Sequence, residues 1–125
     1  MSNEKIVPSA LAITLAEPPG AMFEMMAKGR ESIALAAVFA IVVDAGPNGA
    51  TANEVFAVLS RKSKLHESSA AVQNLLGRLV AEGLVASLDN GGDPHNFYCL
   101  SEVGYLRSVR LFPVLFKPAS RAKKK

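Results

Sequence analysis

Few side chains in this sequence have the type and spacing that bond-making chemistry requires. The 125 residues hold one cysteine, Cys99, and two histidines, His66 and His95, which lie far apart without a companion acid or thiol at ligand spacing. The "NGG" at 90–92 falls in a turn-like stretch and not after a strand, and neither a nucleophile elbow nor a paired-carboxylate pattern is present. These observations predict a chain that is not an enzyme and that carries no metal or cofactor. Cys99 alternates with Tyr98 in a strand-like run and is expected to pack as a small hydrophobe. A lone cysteine has no intramolecular disulfide partner, which suits a reducing cytoplasm.

What remains is hydrogen bonding and charge. The net charge of +3 is unevenly distributed: from Arg107 to Lys125 there are seven basic residues and no acid, so the first 106 residues carry seven basic and eleven acidic residues, a net −4. Within that body the one basic cluster is Arg61, Lys62 and Lys64. A second group of polar side chains, Ser68, Ser69, Gln73, Asn74 and Arg78, sits inside "SSAAVQNLLGRLVAEGLVAS", residues 68–87.

The elements that must position these groups can be read from periodicity and punctuation. "IVPSALAITLA" closes at "EPPG", and its apolar side chains need a partner surface. Pro8 and the acid near Lys5 make this start a poor signal peptide. "AMFEMMAKG" predicts a short amphipathic helix and "RESIALAAVFAIVVDAG" a longer one, stopped by "GPNG". The apolar run Ser32 to Val43 is about 12 residues against the roughly 20 of a bilayer crossing, so a buried core helix is expected and no membrane partner.

Thr51 and Glu54 have capping-box spacing, and a helix with Val55, Phe56, Val58 and Leu59 on its buried side should follow them. Ser68 or a neighbour is placed to cap another, in which Val72, Leu75, Leu76, Leu79 and Val80 form one apolar face and Gly83 supplies the stop. "LVASL", the turn "DNGGDPH" and "NFYCL" predict a β-hairpin. Ser101 then caps "EVGYLRSVRLF", which Pro113 should end. The expected fold class is mainly α with a small β-hairpin.

This layout, and the residues in it, resemble a known class. "AAVQNLLGRLVAEGLVAS" is similar to the recognition helix and first wing strand of MarR-like and PadR-like bacterial transcriptional regulators, and "FYCLSEVGYLRSV" resembles their second wing strand and following helix. The resemblance covers about residues 32–110 and implies a winged helix-turn-helix. The corresponding division is an N-terminal arm and short helix at 1–28 with a possible dimerisation role, the domain at 29–112, and a basic C-terminal tail at 113–125.

In such a domain the helix at about 68–83 enters the major groove of double-stranded DNA and the hairpin touches backbone or minor groove. The outward arc of that helix holds Ala70, Asn74, Gly77 and Ala81, flanked by Gln73 and Arg78. Asn and Gln amides pair with adenine, Arg pairs with guanine or phosphate, and small residues admit close approach. Gly77 is costly in a helix and suggests that something packs near it. Ser68 and Ser69 are placed for a phosphate at the helix start. Arg61, Lys62 and Lys64 would neutralise further phosphates, and His95 and Asn96 would reach from the wing.

The expectation is therefore a sequence-specific, DNA-binding regulator. A homodimer is expected from the apolar flanks at 6–26 and 111–116. Two other readings stand beside it: a winged-helix protein-interaction module, its partner held by helix 68–83 or by a wing turn bearing Asp89 and Asp93, and an accessory factor that binds nucleic acid through its tail.

Overall fold

The apolar run that begins at Ser32 becomes the axis of the fold. The computed structural model of the chain describes residues 9–16, 23, 30–65, 67–87 and 97–116. The first two helices are α1 (Ala10–Ala16) and α2 (Arg30–Ala45). Every residue of α2 from Ala34 to Val43 is buried, so this helix has no solvated face over that stretch. Its neighbours are α1, the two helices that follow it and the sheet. Together with the following turn it forms an 18-residue segment, Glu31–Asn48, of mean hydropathy 1.3, longer than the run counted from sequence and 61% buried within the chain.

Residues 10–16, assigned to an arm from sequence, dock on this axis. Asp44, near the end of α2, accepts hydrogen bonds from the amides of Ala10 (2.8 Å) and Leu11 (3.0 Å), two of the N–H groups that a helix start leaves unpaired. Ser9 Oγ accepts from a third, Ala12 (3.0 Å). Ala10 and Leu11 are buried, and so is Thr14, whose hydroxyl oxygen has no hydrogen-bond partner among the described residues. Phe23 is buried with its ring 5.6 Å from that of Phe39. Much of the N-terminal apolar surface is thus spent inside one chain. The rest of the short helix expected around Phe23 lies outside the described residues.

A 3-10 turn (Gly46–Asn48) leads to β1 (Ala50–Thr51) and α3 (Ala52–Lys62). The capping box forms as its spacing predicts: Thr51 Oγ1 accepts from the Glu54 amide (3.1 Å), and Glu54 Oε1 accepts from the Thr51 amide (2.9 Å). Val55 and Leu59 are buried, while Phe56 and Val58 lie at the margin of the core. The next helix is α4 (Ser69–Ala81), with Ser68 Oγ accepting from the Ala71 amide at 3.0 Å. It ends in a Schellman arrangement: Gly83, at φ +81°, donates to the Val80 carbonyl (2.9 Å), and Leu84 donates to the Leu79 carbonyl (3.0 Å).

The chain then forms β2 (Val85–Ser87), β3 (Phe97–Leu100) and α5 (Glu102–Leu111), before a 3-10 turn at Pro113–Leu115. The expected hairpin is part of a three-stranded antiparallel sheet of order β1–β3–β2. Ala50 pairs with Tyr98 and Thr51 with Phe97 on one side of β3; Val85 pairs with Leu100 and Ala86 with Cys99 on the other. Two residues carry no alternation for sequence to reveal, so β1 was not expected. Its approach depends on Gly49, at φ +76°, where a Cβ would stand 2.9 Å from the Tyr98 carbonyl oxygen. The molecule is mainly helical with one small sheet.

Candidate nucleic-acid interface

The surface of interest is the side of α4 turned away from the core. Val72, Leu75, Leu76 and Leu79 are buried and tie α4 to α2 and α3. Truncating any one of the three leucines to alanine costs about 2–5 kcal/mol, so the helix is a firm platform. Val80, expected on this apolar face, sits at its edge and is partly exposed. Ala70, Gln73, Asn74, Gly77 and Ala81 are exposed, as the helical arc predicts. A Cβ added at Gly77 would meet no atom within 4 Å. The expectation that something packs near Gly77 is therefore not met by the described residues, and the helix cost of this glycine is not repaid by a close contact there.

Arg78 lies on the flank of this surface and forms an ion pair with Glu31 of α2 at 3.7 Å, the two side chains 40% and 54% exposed. Sequence reasoning missed this pair because the two residues belong to different helices. It brings a carboxylate to the edge of a surface otherwise free of acids over α4. Ser68 Oγ is engaged as the helix cap, while the Ser69 and Ala70 amides belong to the unpaired first turn that attracts anions. Ser69 itself is half-buried.

The basic cluster divides. Arg61, Lys62 and Lys64 are exposed, and Arg61 and Lys62 occupy the last turn of α3, where cations favour the helix dipole. Lys62 also lines a groove of about 370 Å³ with Asp44, Glu54 and Val58, so two carboxylates share its surroundings. Between Lys62 and α4 the chain turns on Ser63, whose hydroxyl donates to the Leu59 carbonyl (2.7 Å) and accepts from the Leu65 amide (3.1 Å). These two hydrogen bonds to backbone hold the turn that carries Lys64 out of α3. His95, Asn96, the wing turn and the tail from Lys117 onward lie outside the described residues.

A second concavity, unforeseen from sequence, is apolar. It is an open depression of about 460 Å³ lined by Val43, Gly46, Pro47, Cys99, Leu100, Tyr105 and Phe116, with Tyr105 and Phe116 in edge-to-face contact at 5.5 Å. Cys99 is a free, half-buried thiol on its wall, consistent with the small hydrophobe expected there. The described residues include no group of three or more His, Cys, Asp or Glu side chains placed to hold a metal ion.

Comparison of the chain with protein-family models, with curated proteins and with solved structures finds no match.

Proposed function

We propose that the chain belongs to the winged helix-turn-helix class, with α3 and α4 as the helix pair and β2 and β3 as the wing. Within that class we read it as a sequence-specific DNA-binding transcriptional regulator that acts as a homodimer. The observation that carries the reading is the exposed face of α4: two adjacent amide side chains, Gln73 and Asn74, beside an open helix surface at Gly77, on a helix anchored from behind by four buried aliphatic residues.

The physical roles follow from the chemistry of the groove. Gln73 and Asn74 present a donor and an acceptor each, the pairing that adenine N6 and N7 satisfy in the major groove. Gly77 allows the helix backbone to come close to base edges. Arg78 reaches a phosphate or a guanine at the flank, in exchange for Glu31. The first turn of α4, with Ser68 and Ser69, receives a phosphate, and Arg61 and Lys64 neutralise others. Since the first 106 residues carry a net −4, attraction to DNA comes from these local groups and from the basic tail.

Glu31 beside Arg78 favours one competing use, a protein partner that docks on the same face and pairs with both charges. Selection of random duplex DNA on the full chain at about 0.15 M salt separates the two. The regulator reading expects an enriched motif that is lost in a Gln73→Ala/Asn74→Ala variant, with affinity falling steeply as salt rises. No enrichment with either protein would overturn it and leave the protein partner.

A further inference from the structure

The 13 residues of α4 contain one charged side chain, Arg78, and it pairs with Glu31 at 3.7 Å. The nearest acid in sequence, Glu82, lies past the helix end at its C-cap. The middle of the exposed arc is therefore uncharged. Ala70, Asn74, Gly77 and Ala81 are all exposed and fall within about 60° of one another around the helix. Gln73, also exposed, adjoins them on the side opposite Arg78. From Ala70 to Ala81 this face runs about 16 Å, the length of roughly five stacked base pairs.

The types on this face discriminate between base pairs. A guanine edge in the major groove offers two acceptors, O6 and N7, and its cytosine offers one donor, so reading G·C calls for Arg or Lys, or for Asp or Glu. None of these stands in the middle of the face. An adenine edge offers an acceptor, N7, and a donor, N6, which a carboxamide matches with its own NH2 and C=O. Against guanine the same carboxamide leaves its C=O facing an acceptor, desolvated and unpaired. Gln73 and Asn74 are neighbours in the chain, with Cα atoms about 3.8 Å apart, close to the spacing of successive base pairs. Thymine adds a C5-methyl group, an apolar feature that the Ala70 and Ala81 methyl groups suit.

We infer that α4 selects A·T pairs: two in succession are read by Gln73 and Asn74, thymine methyl groups lie against Ala70 and Ala81, and the middle of the helix contacts no G·C pair. The inference rests on the reading of α4 as a DNA-contacting helix and names the sequence class that this helix takes. Arg78 is the one side chain of α4 suited to guanine, and its pairing with Glu31 holds it at the flank. A preference for A·T also arises without base contacts, where a narrow minor groove or an easily deformed step lowers the cost of shaping the duplex. The two origins differ in the groove that carries the information.

The test uses the full chain and duplexes selected from random sequence at about 0.15 M salt. The enriched motif should hold at least two adjacent A·T pairs. Each is then replaced by an inosine·cytosine pair, which keeps the A·T pattern of the minor groove and presents the G·C pattern in the major groove. Binding should fall about tenfold or more for each replaced pair. Uracil in place of the thymines removes only the methyl groups and should weaken binding about threefold. Asn74→Arg, at an exposed position, should move the preference at one pair from adenine to guanine, and circular dichroism checks that the variant is folded. A motif with G·C pairs at its centre, or an A·T motif indifferent to inosine·cytosine, would overturn the inference while leaving DNA binding intact. An unchanged preference in Asn74→Arg would do the same. The absence of any enriched motif would overturn the DNA-binding reading and this inference with it.

Discussion

Arg78 of α4 and Glu31 of α2 are joined by an ion pair at 3.7 Å, at the margin of the exposed face that carries Gln73 and Asn74. Both side chains are more than one-third exposed, so the pair contributes less than about 1 kcal/mol to stability. Its larger effect is electrostatic. If α4 meets DNA as proposed, the carboxylate would compete with phosphate for the guanidinium and repel the duplex. Glu31→Gln should leave urea unfolding within about 1 kcal/mol of wild type. DNA affinity at low salt should rise about fivefold, measured by fluorescence anisotropy on the selected duplex. Weakened DNA binding would count against Arg78 as a phosphate ligand.

Gly77 offers a sharper separation of folding from recognition. With no atom within 4 Å of an added Cβ, Gly77→Ala meets no steric obstacle. It should stabilise the chain by about 0.5–1 kcal/mol through helix propensity. The same methyl group would stand between the helix backbone and the base edges, and affinity for the selected duplex should fall about tenfold. Thermal unfolding and anisotropy on one preparation decide the matter. A stabilised protein with unchanged DNA affinity would remove Gly77 from the interface.

At Gly104 the sign is reversed. A Cβ there would overlap the Leu84 carbonyl oxygen, a backbone atom set by the end of α4. The contact is flanked by Ser101, whose amide donates to the Leu84 carbonyl (3.1 Å), whose hydroxyl donates to the Gly83 carbonyl, and whose Oγ accepts from the Gly104 amide (2.9 Å). Gly104→Ala should cost on the order of 3 kcal/mol, since backbone on both sides must shift. Chemical denaturation should show a lowered midpoint, and α5 should lose amide protection first. An alanine variant as stable as wild type would mean that α5 is free to relocate.

The sequence made some of these relationships legible and hid others, for physical reasons. Local hydrogen-bond chemistry carried across well: the Thr51–Glu54 capping box, the Ser68 and Ser101 caps and the Gly83 stop each depend on residues within a few positions of one another. The exposed arc of α4 also followed from period alone. What escaped was long-range. Asp44 capping α1, Glu31 pairing with Arg78, and Ala50–Thr51 pairing with β3 each join segments whose separation no local pattern encodes. The apolar flanks were read as surplus surface, yet Leu11, Phe23 and Phe112 are buried within the chain.

The central strand of the sheet is also the last to be synthesised. β3 pairs with β1 on one side and β2 on the other, and both of those edges leave the ribosome before Phe97 does. Until then the nascent chain presents two strand segments with unsatisfied backbone groups, the kind of edge that recruits foreign strands. A chain interrupted between Ser87 and Phe97 would therefore retain most of its helical core while leaving both segments unpaired. Such a fragment should be more prone to intermolecular strand addition than one that ends after Leu100.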